Sequence, residues 1–208
     1  MNRKGFTLLE MVVAVAILAT IAGVIAGVIR LASISTERGE REVARMARLK
    51  AGIDIVERVI RSADPTAIPL GDRASPYFVG EPDRIRLLSL VPPSAAPGTG
   101  FRLVCFSQAG GAPPAGLAVA DASPFRLEDA DAWEGKDKAR ILLPAADGLS
   151  FAYSAGPSPD GTWEWRATWD VREAGRLPGA VRVEFTMPSE GGPLKSSLVI
   201  PVFAEAAS

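Results

Sequence analysis

Apolar residues follow two regimes along this chain. From Met11 to Ile29, nineteen consecutive residues carry no charge. A helix of that length, rising about 1.5 Å per residue, nearly spans the hydrocarbon core of a bilayer. From Met46 the apolar positions thin to a stripe, Met46, Leu49, Ile53, Val56 and Ile60, spaced by three, four, three and four. That spacing predicts one apolar face of a soluble amphipathic helix. Glu40, Arg41, Arg45, Arg48, Lys50, Asp54, Glu57, Arg58 and Arg61 occupy much of the remaining surface. The stripe predicts packing on the chain's own sheet. A seam for a partner helix stays open, and the two are compatible if the stripe is shared along its length. Asp64-Pro65 is the predicted end of the helix, because proline pushes the residue before it out of the helical region.

Beyond Pro65 the period changes to two. Leu149, Phe151 and Tyr153 alternate with Ser150, Ala152 and Ser154; Trp163, Trp165, Ala167 and Trp169 alternate with Glu164, Arg166, Thr168 and Asp170; Val181, Val183, Phe185 and Met187 alternate with Arg182, Glu184 and Thr186. Each predicts a half-buried strand. Asp147-Gly148, Asp160-Gly161 and Leu177-Pro178-Gly179 supply turns, so an antiparallel meander of these three strands is expected. Ser197 to Phe203 reads as a closing strand that Pro201 confines to an edge or bulge. Arg84 to Val91 and Phe101 to Ser107 read as two earlier strands. The predicted class is α+β, a long N-terminal helix packed on a mainly antiparallel sheet head.

Composition sharpens the division. All 17 prolines lie at Pro65 or beyond, and no aromatic falls between Phe6 and Tyr77. Proline breaks helices and aromatics favour sheets, so the asymmetry separates helix from head. Lys plus Arg number 23 against 24 Asp plus Glu, a balance that carries no strong electrostatic footprint for nucleic acid. Histidine is absent, which excludes Ser-His-Asp and Cys-His catalysis and every His-ligated metal. Cys105 is the single cysteine, so neither an intrachain disulfide nor a CxxC motif is available.

A retained transmembrane helix and a cleaved secretory signal compete for the apolar stretch. An ordinary signal has a shorter apolar region and a small-x-small cleavage site after it. The flank Ile29-Arg30-Leu31-Ala32-Ser33-Ile34-Ser35 offers poor candidates, which favours the retained helix. Arg3 and Lys4 precede it, whereas Arg30, Arg38, Arg41, Arg45, Arg48 and Lys50 follow it; charge alone leaves sidedness open. Glu10 is the anomaly. Placed deep in a bilayer, a carboxylate costs about 2.5–3.5 kcal/mol, and less at the interface. Glu10 therefore either sits among headgroups or awaits a cationic partner within the membrane or an assembled core.

The run Lys4-Gly5-Phe6-Thr7-Leu8-Leu9-Glu10 followed by the apolar stretch resembles the class III signal of type IV prepilins and pseudopilins. The resemblance implies cleavage by a prepilin peptidase between Gly5 and Phe6, N-methylation of Phe6, and Glu10 as the glutamate at the fifth mature position. It implies a cytoplasmic leader and a head outside the inner membrane. The chain then divides into a leader 1–5, a transmembrane and assembly helix 6–29, a soluble helical continuation 30–64 and a periplasmic head 65–208. The chemistry fits: cleavage exposes an amine of pKa about 8, and a neighbouring subunit's Glu10 beside it would be a paired rather than an uncompensated charge.

In the head, Gly148-Leu149-Ser150-Phe151-Ala152-Tyr153, then Gly161-Thr162-Trp163 with Trp169, then Leu177-Pro178-Gly179-Ala180-Val181-Arg182-Val183 resemble the J-type minor pseudopilin of type II secretion. That resemblance implies a non-enzymatic subunit at the tip of a periplasmic pseudopilus, helping to start assembly and protein export. The implied partners are the I-type and K-type minor pseudopilins, with the H-type subunit and the major pseudopilin as further candidates. No cofactor, nucleic acid or small-molecule substrate is implied. A minor pilin of a type IV pilus or DNA-uptake filament is the alternative, sharing the leader; a membrane-anchored enzyme that merely carries the leader is a third reading, for which no carboxylate-pair or Ser-Lys spacing argues. Residues 92–147 match no pattern.

Other candidate chemistry is weak. Trp163, Trp165 and Trp169 on one strand face suit sheet core better than a sugar platform. Glu128, Asp129 and Asp131 read as a solvated turn, their spacing being no Ca2+ loop, and no metal is expected. Cys105 lies in a strand pattern and reads as a buried thiol. Ser107 to Gly111 and Gly98-Thr99-Gly100 read as loop. Six prolines between Pro92 and Pro124 suggest an irregular, partner-facing insertion.

Overall fold

The computed structural model describes residues 8–70, 73–93, 100–109, 116–124, 133, 139–144, 146–188 and 192–202. The chain divides into two compact units, residues 1–48 and 49–208. Helix α1, Leu8–Arg61, contributes to both. Glu10 lies in its first turn, and Arg58 and Arg61 in its last, the polarity that the helix dipole favours. In the first unit the described side chains of α1 are exposed.

In the second unit the stretch from Leu49 packs on sheet. Val56, Val59 and Ile60 are buried, while Leu49, Ile53 and Ile55 are partly buried against the same core. Lys50 pairs with Asp54 at 3.2 Å, and Arg61 with Glu57, on the solvent side. The helix stops at Arg61, three residues before the Asp64-Pro65 boundary expected from the sequence. The reason is a sheet contact rather than the proline. Ala63 bridges Ser89, the Asp64 N–H donates to the Leu88 carbonyl at 2.9 Å, and the Ser62 and Ser89 hydroxyls bond at 2.8 Å.

Eleven strands follow among the described residues, paired antiparallel throughout. They are β1 (Ile68–Leu70), β2 (Arg73–Ser75), β3 (Phe78–Gly80), β4 (Arg84–Ser89), β5 (Arg102–Ala109), β6 (Gly116–Ala122), β7 (Arg140–Pro144), β8 (Asp147–Ser154), β9 (Trp169–Asp170), β10 (Ala180–Met187) and β11 (Leu194–Pro201). A six-stranded sheet has the order β7-β6-β5-β4-β3-β9, a three-stranded sheet the order β11-β10-β8, and β1 pairs with β2 alone. The observed class is α+β, as the change of period predicted.

Register explains the core. Ile85 lies opposite Phe106 and Leu87 opposite Val104; with Leu117, Val119 and Leu143 they form one apolar face of the large sheet. That face buries Val56, Val59 and Ile60 of α1 together with Phe151, Tyr153, Val181, Val183, Phe185 and Ile200 of the small sheet. On the other face Leu88 and Leu103 join Ile68 and Tyr77 in a smaller cluster, with Trp133 packed against it. Strands β4 and β5 are apolar on both faces because both faces are covered.

Three expectations need correction. The alternation from Trp163 to Trp169 does not make a full strand: only Trp169–Asp170 is strand, and it pairs with β3 in the large sheet. The rest of that segment holds only isolated bridges, Pro157 to Trp163 and Tyr153 to Arg166. The expected meander is therefore replaced by direct pairing of β8 with β10, Ala180 opposite Ser154 and Val183 opposite Phe151. Finally, Ser107 to Ala109 continue β5 rather than opening a loop, because Ala118, Leu117 and Gly116 of β6 pair with them. The proline-rich stretch thus carries β5 and β6. Gly110 to Ala115 lie outside the described residues.

Asp147-Gly148 is also not a free turn. Gly148 has φ 61° inside β8, and the register with β10 shifts between Glu184 and Thr186. A glycine in the left-handed region at such a shift is the geometry of a β-bulge.

Candidate assembly site

Gly5 and Phe6, the residues expected to carry cleavage and methylation, lie outside the described residues. Glu10 is the third residue of the described helix and is exposed. Leu8 to Leu31 form a 24-residue helical stretch with mean hydropathy 2.8, none of it buried. At about 1.5 Å per residue it is long enough to cross a bilayer core. Its Thr20 hydroxyl donates to the Ala16 carbonyl at 2.8 Å, so this polar group is satisfied within the helix.

Ala16, Thr20, Gly23 and Gly27 fall on one side of that stretch at four- and three-residue spacings. A Cβ built at Gly23 or Gly27 meets nothing within 4 Å. Small residues at such spacing let helices approach closely in lipid. The sequence signal for this face is the Gly-x-x-x-Gly spacing of Gly23 and Gly27, which amphipathic periodicity does not show because the segment is apolar all round.

The stripe read from Met46 is graded along the helix. Val56 and Ile60 are buried, Leu49 and Ile53 are partly buried, and Met46 is 52% exposed. Val59 and Gly52, which the stripe omitted, are also buried. A Cβ at Gly52 would come within 2.4 Å of Leu143 Cδ2, so the missing side chain is what lets α1 lie close to β7.

On the head, Trp163 and Trp165 are not sheet core. Trp163 is 42% exposed. Its ring stacks on Trp165 at 5.7 Å and 14°, and the Arg182 guanidinium lies 4.7 Å from the Trp165 centroid. Arg182 in turn pairs with Glu184 at 3.2 Å. A cavity of about 290 Å³ beside this stack is lined by Ser150, Ala152, Trp165, Arg182 and Glu184 among others. Trp169 differs: it is buried, and its indole N–H donates to the Arg176 carbonyl at 3.0 Å. The alternation implied one shared strand face for the three tryptophans, and the segment, which is strand only at Trp169–Asp170, does not keep them on one face.

Tyr153 is a fully buried titratable group of the head. Its hydroxyl donates to the Glu81 carbonyl at 2.9 Å, and its ring meets Phe78 edge-on at 6.0 Å. Burial, reinforced by the Glu81 and Asp83 carboxylates, pushes the phenol far above its ordinary range. It stays protonated, which suits a structural tie rather than proton transfer. Cys105 is buried, as its strand pattern suggested. Glu128, Asp129 and Asp131 lie outside the described residues. Among the described residues no three His, Cys, Asp or Glu side chains come together as a metal site.

No curated protein matches the chain in sequence. Residues 1–26 match the family model described as the prokaryotic N-terminal methylation motif, and that motif indicates a pilin- or pseudopilin-type protein.

Proposed function

We propose that this chain is a non-enzymatic minor pseudopilin of the J type, acting at the tip of a type II secretion pseudopilus. The observation that carries the filament reading is the methylation motif at residues 1–26 overlapping a wholly exposed 24-residue apolar helical stretch, Leu8–Leu31. In this reading the leader 1–5 is removed by the prepilin peptidase between Gly5 and Phe6, and Phe6 is methylated. Residues 6–29 anchor the chain in the inner membrane and 30–61 continue the helix, with the head 65–208 in the periplasm. The J-type assignment is supported by the head sequence from Gly148 to Val183, whose outer runs fold as the paired strands β8 and β10.

The mechanism is assembly. Once cleaved, the charged amine of one subunit lies against Glu10 of its neighbour, so that neither charge is left uncompensated in a low-dielectric core. Such a pair selects register more than it adds net stability. The apolar surface of α1 is covered by neighbouring helices, and the small-residue face at Gly23 and Gly27 sets how closely they approach. The I-type and K-type minor pseudopilins are the proposed neighbours, with the H-type subunit and the major pseudopilin further down the filament.

The test is affinity isolation of the full-length chain from a detergent-solubilised native envelope, with co-purifying proteins identified by mass spectrometry. Recovery of I-type and K-type minor pseudopilins is the expected outcome. Recovery of type IV pilus subunits instead would keep the filament role and overturn the secretion assignment. Recovery of no filament subunit would overturn both.

A further inference from the structure

We infer that the outer edge of β11 is a strand-addition site for an extended segment of a neighbouring filament subunit. The small sheet has two edges, and they differ. On the β8 side, the Phe151 N–H donates to the Pro82 carbonyl and Tyr153 exchanges two bonds with Arg166, each at 2.8 Å. On the β11 side, no described strand lies beyond β11.

The phase of the ladder identifies the open groups. Pro201 lies opposite Ala180, and the next pair is tied by the Val202 N–H donating to the Gly179 carbonyl at 3.0 Å. Hydrogen-bonded pairs alternate in an antiparallel ladder. Leu194, Ser196, Leu198 and Ile200 therefore bond inward to β10, while Lys195, Ser197 and Val199 turn their N–H and C=O groups outward. Pro201, which has no N–H, falls in the outward phase, where a proline is tolerated. The open ladder is thus three outward residues long and is bounded by Pro201.

Side chains on this edge match a protein strand rather than water. Leu194 is 60% and Val199 52% exposed. Val199 lies in register with Arg182, whose guanidinium rests on Trp165, so the row at the edge continues into the half-buried Arg182 and Trp165 and the exposed Trp163. Those residue types dominate binding energy at protein interfaces. Lys195 is exposed and has no ion-pair partner among the described residues. The fitting segment is extended, presents a carboxylate opposite Lys195, and places apolar side chains opposite Val199 and Leu198. Backbone bonds to three outward residues supply affinity and the alternating side chains supply selectivity.

The identity of the donor rests on the filament reading above; the geometry of the edge does not. Residue-resolved amide hydrogen exchange on the full-length chain tests the edge directly. In the isolated chain, the Ser196, Leu198 and Ile200 amides are expected to be protected and those of Lys195, Ser197 and Val199 to exchange freely. In the complex recovered from the envelope, all six become protected. Ser197→Pro removes the central outward donor without touching a bond to β10, and should lower recovery of filament subunits by about tenfold or more relative to Ser197→Ala. The inference is overturned if the three outward amides stay open in the complex, or if Ser197→Pro folds and recovers subunits like Ser197→Ala. It is also overturned if those amides become protected in the isolated chain as its concentration rises, since a second copy then takes the edge. If the wild-type chain recovers no filament subunit, the donor assignment and the filament reading fail together.

Discussion

Gly52 of α1 faces Leu143 of β7 so closely that a Cβ at position 52 would lie 2.4 Å from Leu143 Cδ2 and 2.9 Å from the Leu142 carbonyl oxygen. The leucine methyl can turn away, but the backbone oxygen cannot. Gly52→Ala sets a helix-propensity gain of about 1 kcal/mol against an overpacking cost of about 1–3 kcal/mol. The backbone clash decides the sign, so Gly52→Ala should lower stability and Gly52→Val should lower it further. Urea unfolding of the full-length chain in detergent measures both. A rise in midpoint for the alanine variant would mean that β7 can move away from the helix at little cost.

Gly80 has the same relation to a stiffer neighbour. Its absent Cβ would meet Tyr153 Cζ at 2.3 Å, and the Tyr153 ring is fully buried and tied to the Glu81 carbonyl. A rigid ring cannot yield as a leucine does, so Gly80→Ala should cost about 2–3 kcal/mol. Tyr153→Phe keeps the ring and loses only the hydroxyl bond, with an expected cost of about 1 kcal/mol. Equal losses for the two variants would show that the ring, not the hydroxyl, has room to move.

These two glycines mark where the sequence stopped being legible. The helix, the strands β8 and β10, and the α+β class followed from apolar periodicity, because burial on one face imposes that period, whereas β4, β5 and β11 read as short apolar runs. What periodicity lacks is the neighbour. Nothing in Gly52 or Gly80 names the side chain that excludes a Cβ there. Trp163 and Trp165 alternate as sheet core does, yet their segment holds only isolated bridges and their rings stack on each other. The helix boundary failed for a related reason, since the contact of Ala63 with Ser89 joins positions 26 apart. In the N-terminal helix, Glu10 stood out as a charge in an apolar run, whereas Gly23 and Gly27 lie among alanine, valine and isoleucine residues that are equally uncharged.

Asp170 gives the head an acid-sensitive turn. Its carboxylate caps α2, Val171–Ala174, by accepting from the Arg172 N–H at 2.9 Å, and it also accepts from the Arg172 side chain. The Arg172 side-chain bond is the main cause holding its carboxyl below the ordinary value, with burial opposing. Because the folded value is depressed, this contribution is fully present above the unfolded pKa of about 3.9. It is lost as pH falls through the folded value. Asp170→Asn keeps a good cap and removes the titration. The variant should therefore lose less stability than wild type between pH 5 and pH 3, by under about 1 kcal/mol for so exposed a pair. Identical acid profiles in thermal unfolding would exclude Asp170 as a contributor.

The stack of Trp163, Trp165 and Arg182 is open to a double-mutant cycle. With the guanidinium 4.7 Å from the Trp165 centroid, the coupling between Arg182→Ala and Trp165→Ala should be about 0.5–1 kcal/mol. Each single change also removes packing, so the coupling and not either single loss is the measurement. A coupling near zero would mean that the pair is adjacent without interacting. Trp163→Ala should leave that coupling largely intact, because its ring lies against Trp165 and bears less directly on Arg182.

The N-terminal residues separate processing from assembly. A bulky residue at position 5 places side-chain atoms at the scissile bond where glycine has none, so Gly5→Val should leave the leader attached. Intact-mass analysis of the membrane-extracted chain would show the added mass of residues 1–5 and no N-methylated Phe6. Mature-length protein from that variant would refute the cleavage position. Glu10→Leu has the opposite profile. It removes a charge from the first turn of an apolar helix, so insertion and processing should persist. On the proposed pairing, the neighbour's amine is then left without its carboxylate, and recovery of filament subunits should fall by about tenfold or more, as expected when one partner of a desolvated charge pair is lost. Glu10→Gln keeps the shape and hydrogen-bonding capacity but not the charge, so a matching loss in both variants would assign the effect to charge. Normal processing with unchanged subunit recovery in Glu10→Leu would place Glu10 at the headgroups, with no pairing role in assembly.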